Sequence, residues 1–362
     1  MLSKGDKMKG RIGNEKLERI NSWLKGKKQG PYKLDIFLTQ ACNLNCLFCD
    51  CHNISYEKLR HELNKSDFVS IINEAKELGV RNMGILGGEP FVKTGLMLDV
   101  MKTIKNNGMS GSLTTNGTIF NEDSIREIVM MGWDMMRFSV DGKRKTHDYL
   151  RGKKGTYNKV IRSLLLFKKI KKQLNKNNPS IEFNFVLTNK NYMDLPFVLK
   201  LASKVDCKRF YLLPLIELTE LCSNLKINEL NKKIKKYLVK ASLLAEKFGI
   251  ESNIHEITNA KVMENFGKAD SIHRKQGTFY CLQPWYGLAV HSNGNVVPCA
   301  NFDDFSGENI EGTHLKKIWY GNYMSKIRNN MKKGVLPNVC SRCCMPMIIE
   351  NKKLKEELRN LK

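Results

Sequence analysis

The chain has 362 residues, 41% hydrophobic and 27% charged, which is enough apolar material for one large α/β domain and a smaller companion. Nowhere do about 18 apolar residues run together as a membrane span needs, and the first ten residues hold no apolar leader segment, so a membrane role is excluded and a cytoplasmic setting expected. A formal net charge of +25 admits polyanionic partners, but the lysines are spread along the chain in runs such as 168–176. Such runs read as solvated helix faces, which makes nucleic acid an unlikely partner class.

Residues 1–30 are polar and basic and read as an N-terminal extension with a helix over 15–24. Strand-like apolar runs then fall at 34–38, 83–86, 111–114, 135–140, 181–187 and 209–213. Between them, apolar residues recur three and four apart, as in Phe68, Ile71, Ile72, Ala75 and Leu78, with Ser66 as the expected cap and Gly79 as the stop. Strands alternating with helices imply βαβ units and a parallel sheet. The expected fold is therefore α/β, a partial (β/α)6 TIM-like barrel over 31–214.

Residues 215–280 break this rhythm and read as a helical bridge or insertion, with helical patterns over 230–248 and near 259–266 around a short β-like run at 250–254. Residues 281–350 read as a smaller α+β domain. It begins with a hairpin around Ser292-Asn-Gly294 and continues through helical pieces at 314–320 and 323–333 to a group of cysteines. Residues 351–362 form a charged tail.

Without a leader segment, eleven cysteines are expected to stay reduced, and clustered ones then read as metal ligands. Cys42, Cys46 and Cys49 follow the first strand on one tight loop. Three such thiolates can hold three irons of a cubane and leave the fourth open, whereas zinc would need a fourth ligand from Cys51 or His52. Near the other end, Cys281, Cys299, Cys340 and Cys343 supply four thiols, enough for a filled 4Fe-4S cluster or a structural zinc, and Cys344 is an alternative to Cys343.

In a parallel barrel, chemistry gathers at the C-terminal ends of the strands. The cysteine loop, Gly87-Gly-Glu-Pro90, Thr115-Asn-Gly117 and Ser139-Val-Asp-Gly142 end the first four strands and should open onto one face. Gly87 and Gly88 permit close backbone approach to a ligand, and Glu89 can accept from an ammonium group.

The Cys-x3-Cys-x2-Cys spacing, Phe48 before its last cysteine, and Gly-Gly-Glu-Pro together resemble the radical S-adenosylmethionine (SAM) enzymes. The resemblance implies a 4Fe-4S cluster on Cys42, Cys46 and Cys49 whose open iron chelates SAM, and reductive cleavage of SAM to a 5′-deoxyadenosyl radical. It also implies that Gly87, Gly88 and Glu89 hold the SAM amino group, Asn116 and Ser139 the ribose, and Arg151 the carboxylate. The C-terminal cysteines resemble the SPASM/twitch extension of that family, which implies one auxiliary 4Fe-4S cluster.

The expected function is a radical SAM oxidoreductase that oxidises or cross-links a peptide side chain or a small polyol-like metabolite. A reducing electron donor such as flavodoxin or ferredoxin would serve it. Two alternatives are an epimerase or mutase with a thiol hydrogen donor such as Cys222, and a zinc-binding RNA-associated scaffold. Cys222 also reads as a core residue, Cys51 as spare, and Cys207 as lying at the far end of the barrel; no side chain is singled out as catalytic.

Overall fold

The computed structural model describes residues 15–51, 61–258, 281–302 and 307–361. Six strands follow the apolar runs: β1 (Lys33–Phe37), β2 (Asn82–Leu86), β3 (Ser110–Thr115), β4 (Met135–Ser139), β5 (Ser180–Leu187) and β6 (Cys207–Pro214). They pair consecutively and in parallel. After helix α1 (15–24), the connections carry α2 (Lys65–Glu77), α3 (Thr94–Asn106), α4 (Glu122–Met130), α5 (Arg144–Leu150), α6 (Thr156–Gln173) and α7 (Leu195–Lys204). α2 buries Phe68, Ile71, Ile72 and Ala75 as its periodicity requires, but its cap is Asn64 and not Ser66. The Asn64 side chain accepts from the Ser66 and Asp67 N–H groups, and Asp67 returns a bond to the Asn64 N–H.

The sheet extends beyond six strands at both edges. β7 (Glu251–Ser252) follows α8 (Lys232–Lys247) and pairs in parallel with β6. The described part of 215–280 thus continues the βα alternation where a bridge or insertion was expected. β7 is two residues long and lacks the apolar run that marks the other strands. α9 (Ile254–Thr258) comes next, and the helix expected near 259–266 lies outside the described residues.

At the other edge, β8 (Gly287–Val290) pairs in parallel with β1. β8 also forms the expected hairpin with β9 (Asn295–Val297), which pairs antiparallel with β10 (Glu308–Asn309). All four β8 residues are buried, as in strands covered on both faces. One ten-stranded sheet results, in the order β10-β9-β8-β1-β2-β3-β4-β5-β6-β7. The C-terminal cysteines are therefore carried by a segment stitched onto the strand that launches the N-terminal cysteine loop.

Helix α1 is packed in as well. Trp23 and, from α10 (Leu315–Tyr320), Trp319 both donate to the Gln29 carbonyl, at 3.0 and 2.8 Å. The buried Arg328 of α11 (Asn322–Lys332) lies over both indoles at 4.5 and 4.2 Å while its Nε donates to Pro284 O. Its charge is thus spread over two ring faces and backbone oxygens. The last helix, α12 (Met345–Asn360), crosses back to β6, and its Leu354 joins Leu17, Ile20 and Tyr286 in a small apolar cluster. Among the described residues no helix is long and apolar enough to cross a membrane.

Gly111 in β3 shows how tightly the core is filled, because a Cβ there would sit 2.1 Å from Trp133 Cη2. Gly111→Ala is expected to lower stability by about 1–3 kcal/mol, read as a lower urea midpoint with an unchanged slope.

Candidate active site

The cysteine loop leaves β1 at Thr39 and is held on three sides, by backbone contacts on two and by the Glu62 carboxylate on the third. Gly88 N–H donates to Thr39 O at 2.8 Å and Glu89 N–H to Ala41 O at 2.9 Å, which straps the loop to the turn after β2. There is no room for side chains in that strap: a Cβ on Gly87 would lie 2.3 Å from Thr39 O, and one on Gly88 2.3 Å from Ala41 O. Leu47 N–H donates to Leu150 O at 3.0 Å, and Gly152, at φ +67°, packs so closely that a Cβ would meet Asn45 O at 2.0 Å. Glu62 closes the third side, accepting from Thr39 Oγ1 at 2.8 Å, Gln40 N at 2.6 Å and Lys93 Nζ at 2.6 Å.

A cavity of about 300 Å³ opens inside this frame, lined by Cys42, Cys46, Cys49, Gly87, Gly88, Asn116, Ser139 and Arg151. Asn116 reaches it from the end of β3, with its Nδ2 donating to Asn43 Oδ1 at 2.8 Å and its Oδ1 accepting from Thr118 N at 3.0 Å.

Glu89, expected to accept from a ligand's ammonium, lies just behind the lining with its carboxylate engaged within the protein. It is 1% exposed; Oε1 accepts from Phe91 N at 3.1 Å and Thr115 Oγ1 at 2.8 Å, and Oε2 from Asn116 N at 2.6 Å. Only the backbone of the glycine pair faces the cavity, and Glu89 ties the end of β2 to the end of β3. Burial pushes its carboxyl up to about 7 against the pull of those donors.

Arg151 also differs from expectation, since its guanidinium is not free for a ligand alone. It forms a buried ion pair with Asp141, donates through Nη1 to Cys46 Sγ at 3.7 Å and lies 5.3 Å from the Phe48 ring. Its Nε is buried and has no hydrogen-bond partner among the described residues. A guanidinium on the cavity lining suits an anionic group such as a carboxylate.

The thiols suit clusters better than a single ion. Four thiolates on one zinc lie ~2.3 Å from it and so about 3.8 Å from one another. Among the described residues, the only group of three or more candidate ligand atoms lying within 4.8 Å of one another is Cys49, Asp50 and Cys51. Cys42, Cys46 and Cys49 are instead spread around a cavity, as ligands to three different irons must be. Burial pushes Cys42 up to about 11, while hydrogen bonds from Cys51 hold Cys49 down to about 7.

The C-terminal thiols share a second setting. Cys281, Cys299, Cys340 and Cys343 line a small cavity of about 40 Å³ walled by Pro298, Phe302, Met331 and Leu336. Burial raises Cys281, Cys299 and Cys343 above the ordinary thiol value, so these sulfurs stay protonated unless a metal takes them. Cys344 is absent from that lining and faces the first cavity instead. It also faces an adjoining one of about 790 Å³ inside the barrel. The geometry therefore favours Cys343 over Cys344 as the fourth ligand. The register of β9 on β8 and of β8 on β1 puts Cys299 level with Lys33 at the start of β1, so the two cysteine groups flank opposite ends of the strands, with the larger cavity between them.

Several features of the mouth and the larger cavity escaped sequence reasoning. Leu213, Pro214, Leu215 and Ile216 form an apolar wall of the first cavity, and the apolar run continuing past β6 was the available signal. The larger cavity carries a charged ladder across four strands. Glu182 accepts from Arg137 at 2.8 Å and Arg209 at 3.2 Å, and Arg209 reaches Glu251 at 2.6 Å. A charged residue set inside each apolar run, Arg137 in β4, Glu182 in β5 and Arg209 in β6, hinted at a polar barrel interior.

Cys222 is fully buried, donates to Ile216 O at 3.6 Å and packs with Leu44, Phe48 and Leu225, lining none of these cavities. It is a core residue, so the epimerase or mutase alternative loses its hydrogen donor. Cys207 starts β6 at the opposite end of the strands, as its position suggested.

Residues 36–180 match the family model of the radical SAM superfamily, and residues 281–344 match that of the SPASM iron-sulfur cluster-binding domain. The chain carries a radical SAM domain followed by a SPASM domain, and its cofactors are SAM and 4Fe-4S clusters. These matches replace the reading of a zinc-binding RNA scaffold.

The chain is 24% identical over 174 residues to the Fe-coproporphyrin III synthase of Methanosarcina barkeri, covering 48% of this chain and 41% of that protein. It is 22% identical over 321 residues to the PqqA peptide cyclase of Rhizobium meliloti, covering 84% and 77%. SuiB of Streptococcus suis, solved with SAM and with its precursor peptide SuiA, shares the fold. In its SAM-bound form the TM-score is 0.65 at 18% identity, over 87% of this chain and 72% of SuiB. The chain spans less than half the length of the first three curated relatives it matches, at 41%, 44% and 46%.

Glu89→Ala would strand three buried donors and is expected to cost about 3 kcal/mol in chemical denaturation. The wild-type group also imposes a pH dependence. Because its carboxyl is raised from 4.5 to about 7, its contribution is full below about 4.5 and lost as pH rises through about 7. The alanine variant should lack that slope.

Proposed function

We propose that this protein is a radical SAM oxidoreductase that oxidises or cross-links a side chain of a peptide substrate. In this reading Cys42, Cys46 and Cys49 hold the SAM-binding cluster, and Cys281, Cys299, Cys340 and Cys343 hold one auxiliary cluster. When bound, the first cluster and SAM supply a 5′-deoxyadenosyl radical that takes a hydrogen atom from an unactivated C–H bond.

The chain's own groups do the positioning. The Gly87–Gly88 backbone, Asn116, Ser139 and Arg151 present polar contacts around the cofactor space, while Leu213, Pro214 and Ile216 keep its far wall dry. The observation that carries the proposal is the placement of Cys344. It lies on the wall of both larger cavities and is bonded directly to Cys343, so the auxiliary thiols adjoin the space where substrate and cofactor meet. A cluster in that position can take the second electron of a two-electron oxidation, which favours oxidation or cross-linking over rearrangement.

Two considerations support a peptide substrate. The combined cavities are far larger than a cofactor alone needs and are lined by charged side chains from four strands, β1, β4, β6 and β7, and from α12. SuiB is also known bound to its precursor peptide SuiA, and the PqqA peptide cyclase is named for a peptide. A small polyol-like metabolite would leave much of the ladder from Arg137 to Glu251 without a role. The formal charge of +25 suits an acidic low-potential electron donor such as flavodoxin or ferredoxin.

Anaerobically reconstituted protein is expected to contain about eight irons and eight sulfides per chain, as two 4Fe-4S clusters require. With reductant it should cleave SAM to 5′-deoxyadenosine. A Cys42, Cys46 and Cys49 triple alanine variant should lose that cleavage and about half of the iron; an iron-free wild type, or cleavage undiminished in the variant, would overturn the assignment.

A further inference from the structure

We infer that Asp141 is a positioning residue for the cysteine-loop cluster, holding Arg151 so that its guanidinium donates to the Cys46 thiolate and raises the ease with which that cluster accepts an electron. The inference rests on the proposed role of Cys46 as a cluster ligand.

Asp141 is fixed from every side. It is fully buried just past β4; Oδ1 accepts from Val186 N–H at 2.7 Å, and Oδ2 pairs with Arg151. Its backbone N–H donates to His147 Nδ1 at 3.2 Å, and its carbonyl accepts from Asn191 Nδ2 at 3.0 Å. Asn191 is itself held by Val186 O and by Thr188 N–H, both at 2.8 Å. The next residue, Gly142, sits at φ +148°, where a Cβ would meet Asp194 Oδ2 at 2.9 Å. The carboxylate therefore has one place to be.

Arg151 takes its position from that anchor. A buried ion pair gains little over an apolar pair of the same volume, so stability alone is a weak reason for this one. What the pair does is aim: the planar fork gives one nitrogen to Asp141 and another to Cys46 Sγ at 3.7 Å, with the Phe48 ring packed at 5.3 Å against the guanidinium carbon. Donors to cluster sulfurs and nearby positive charge favour the reduced, more negative form. The charge of Asp141 taken alone would oppose reduction, so the two roles available to this carboxylate have opposite signs and can be told apart.

The test is a redox titration of anaerobically reconstituted full-length protein, followed by EPR. The cysteine-loop cluster is identified as the signal that changes when SAM is added, and the auxiliary signal serves as an internal reference. Arg151→Gln is expected to lower the midpoint potential of the SAM-responsive signal. Asp141→Asn, which keeps an acceptor for Val186 N–H, should lower it too, and the double variant should go no lower than Arg151→Gln alone.

A rise or no change in Asp141→Asn, or additive shifts in the double variant, would overturn the inference. Should Asp141→Asn not fold, Arg151→Lys decides: a point charge cannot bridge both partners, so its potential should fall toward that of Arg151→Gln, and a wild-type value would count against positioning. Iron and sulfide analysis of the wild type separates the two levels of argument. Iron-free wild type removes the cluster assignment itself, whereas normal iron with unshifted variants removes only the role of Asp141.

Discussion

The site depends on one backbone contact, the strap between Thr39–Ala41 and Gly87–Glu89. Two N–H···O bonds hold the start of the cysteine loop against the turn after β2, and neither glycine position leaves space for a Cβ. Because the bonds are between main-chain groups, the loop's position is set by the register of β1 on β2, which pairs Lys33 with Asn82 through to Phe37 with Leu86. The sheet therefore places the thiols, and the side chains around them refine that placement. Glu62 and Lys93 brace the strap from outside, and Gly152 lets the α5 end close against Asn45.

Polar satisfaction then decides which side chains remain for chemistry. Glu89 and Asp141 are both fully enclosed carboxylates at the barrel mouth, and each has its oxygens engaged within the protein. An ionised group in such a place must be answered by donors, and these donors come from neighbouring strand ends, so the carboxylates act as rivets between strands. What is left lining the cavity is mostly backbone, thiol, Asn116, Ser139 and Arg151. That is a binding surface without a free carboxylate or imidazole, in keeping with chemistry supplied by cofactors and geometry supplied by the chain.

The six inner strands and the helices between them were legible because each is an apolar run or a 3.6-residue pattern buried on the expected face, and α2 with Phe68, Ile71 and Ile72 is a clear instance. The convergence of Cys42, Gly87, Asn116 and Ser139 was legible from strand order alone, since every loop at the C-terminal edge of a parallel sheet opens the same way. What stayed hidden depends on contacts remote in sequence. The Glu89 motif shows a carboxylate beside two glycines, but its orientation is set by N–H groups 27 residues on, at Asn116. Arg151 was identified as a cation near the mouth, yet its Asp141 partner is visible only once β4 and the α5 end are folded. β7 was legible as part of the short β-like run at 250–254, but not its pairing with β6, because two polar residues carry no sign of a buried face, and β8 was read only as half of a hairpin although its unbroken Gly-Leu-Ala-Val is the composition of a strand with both faces covered.

That misreading of β8 matters for how the two cysteine groups relate. A hairpin belonging to a separate small domain could swing on its linker, leaving the distance between the groups to chance. A strand in register with β1, from Lys33 opposite Gly287 to Ile36 opposite Val290, cannot. The hairpin turn is fastened again where Leu63 N–H donates to Ser292 O at 2.6 Å, next to the Glu62 brace of the cysteine loop. His291 stacks on Phe37 with ring centres 4.4 Å apart, so the end of β1 is packed against the end of β8 just before the chain enters the thiol loop. Both cysteine groups thus hang from adjacent strands of one sheet, and the cavity between them has rigid walls on both sides. α12 lays Glu350, Lys353 and Glu357 along the larger cavity, beside Lys33 and Asp35 of β1, so the last helix completes a wall that the strands begin.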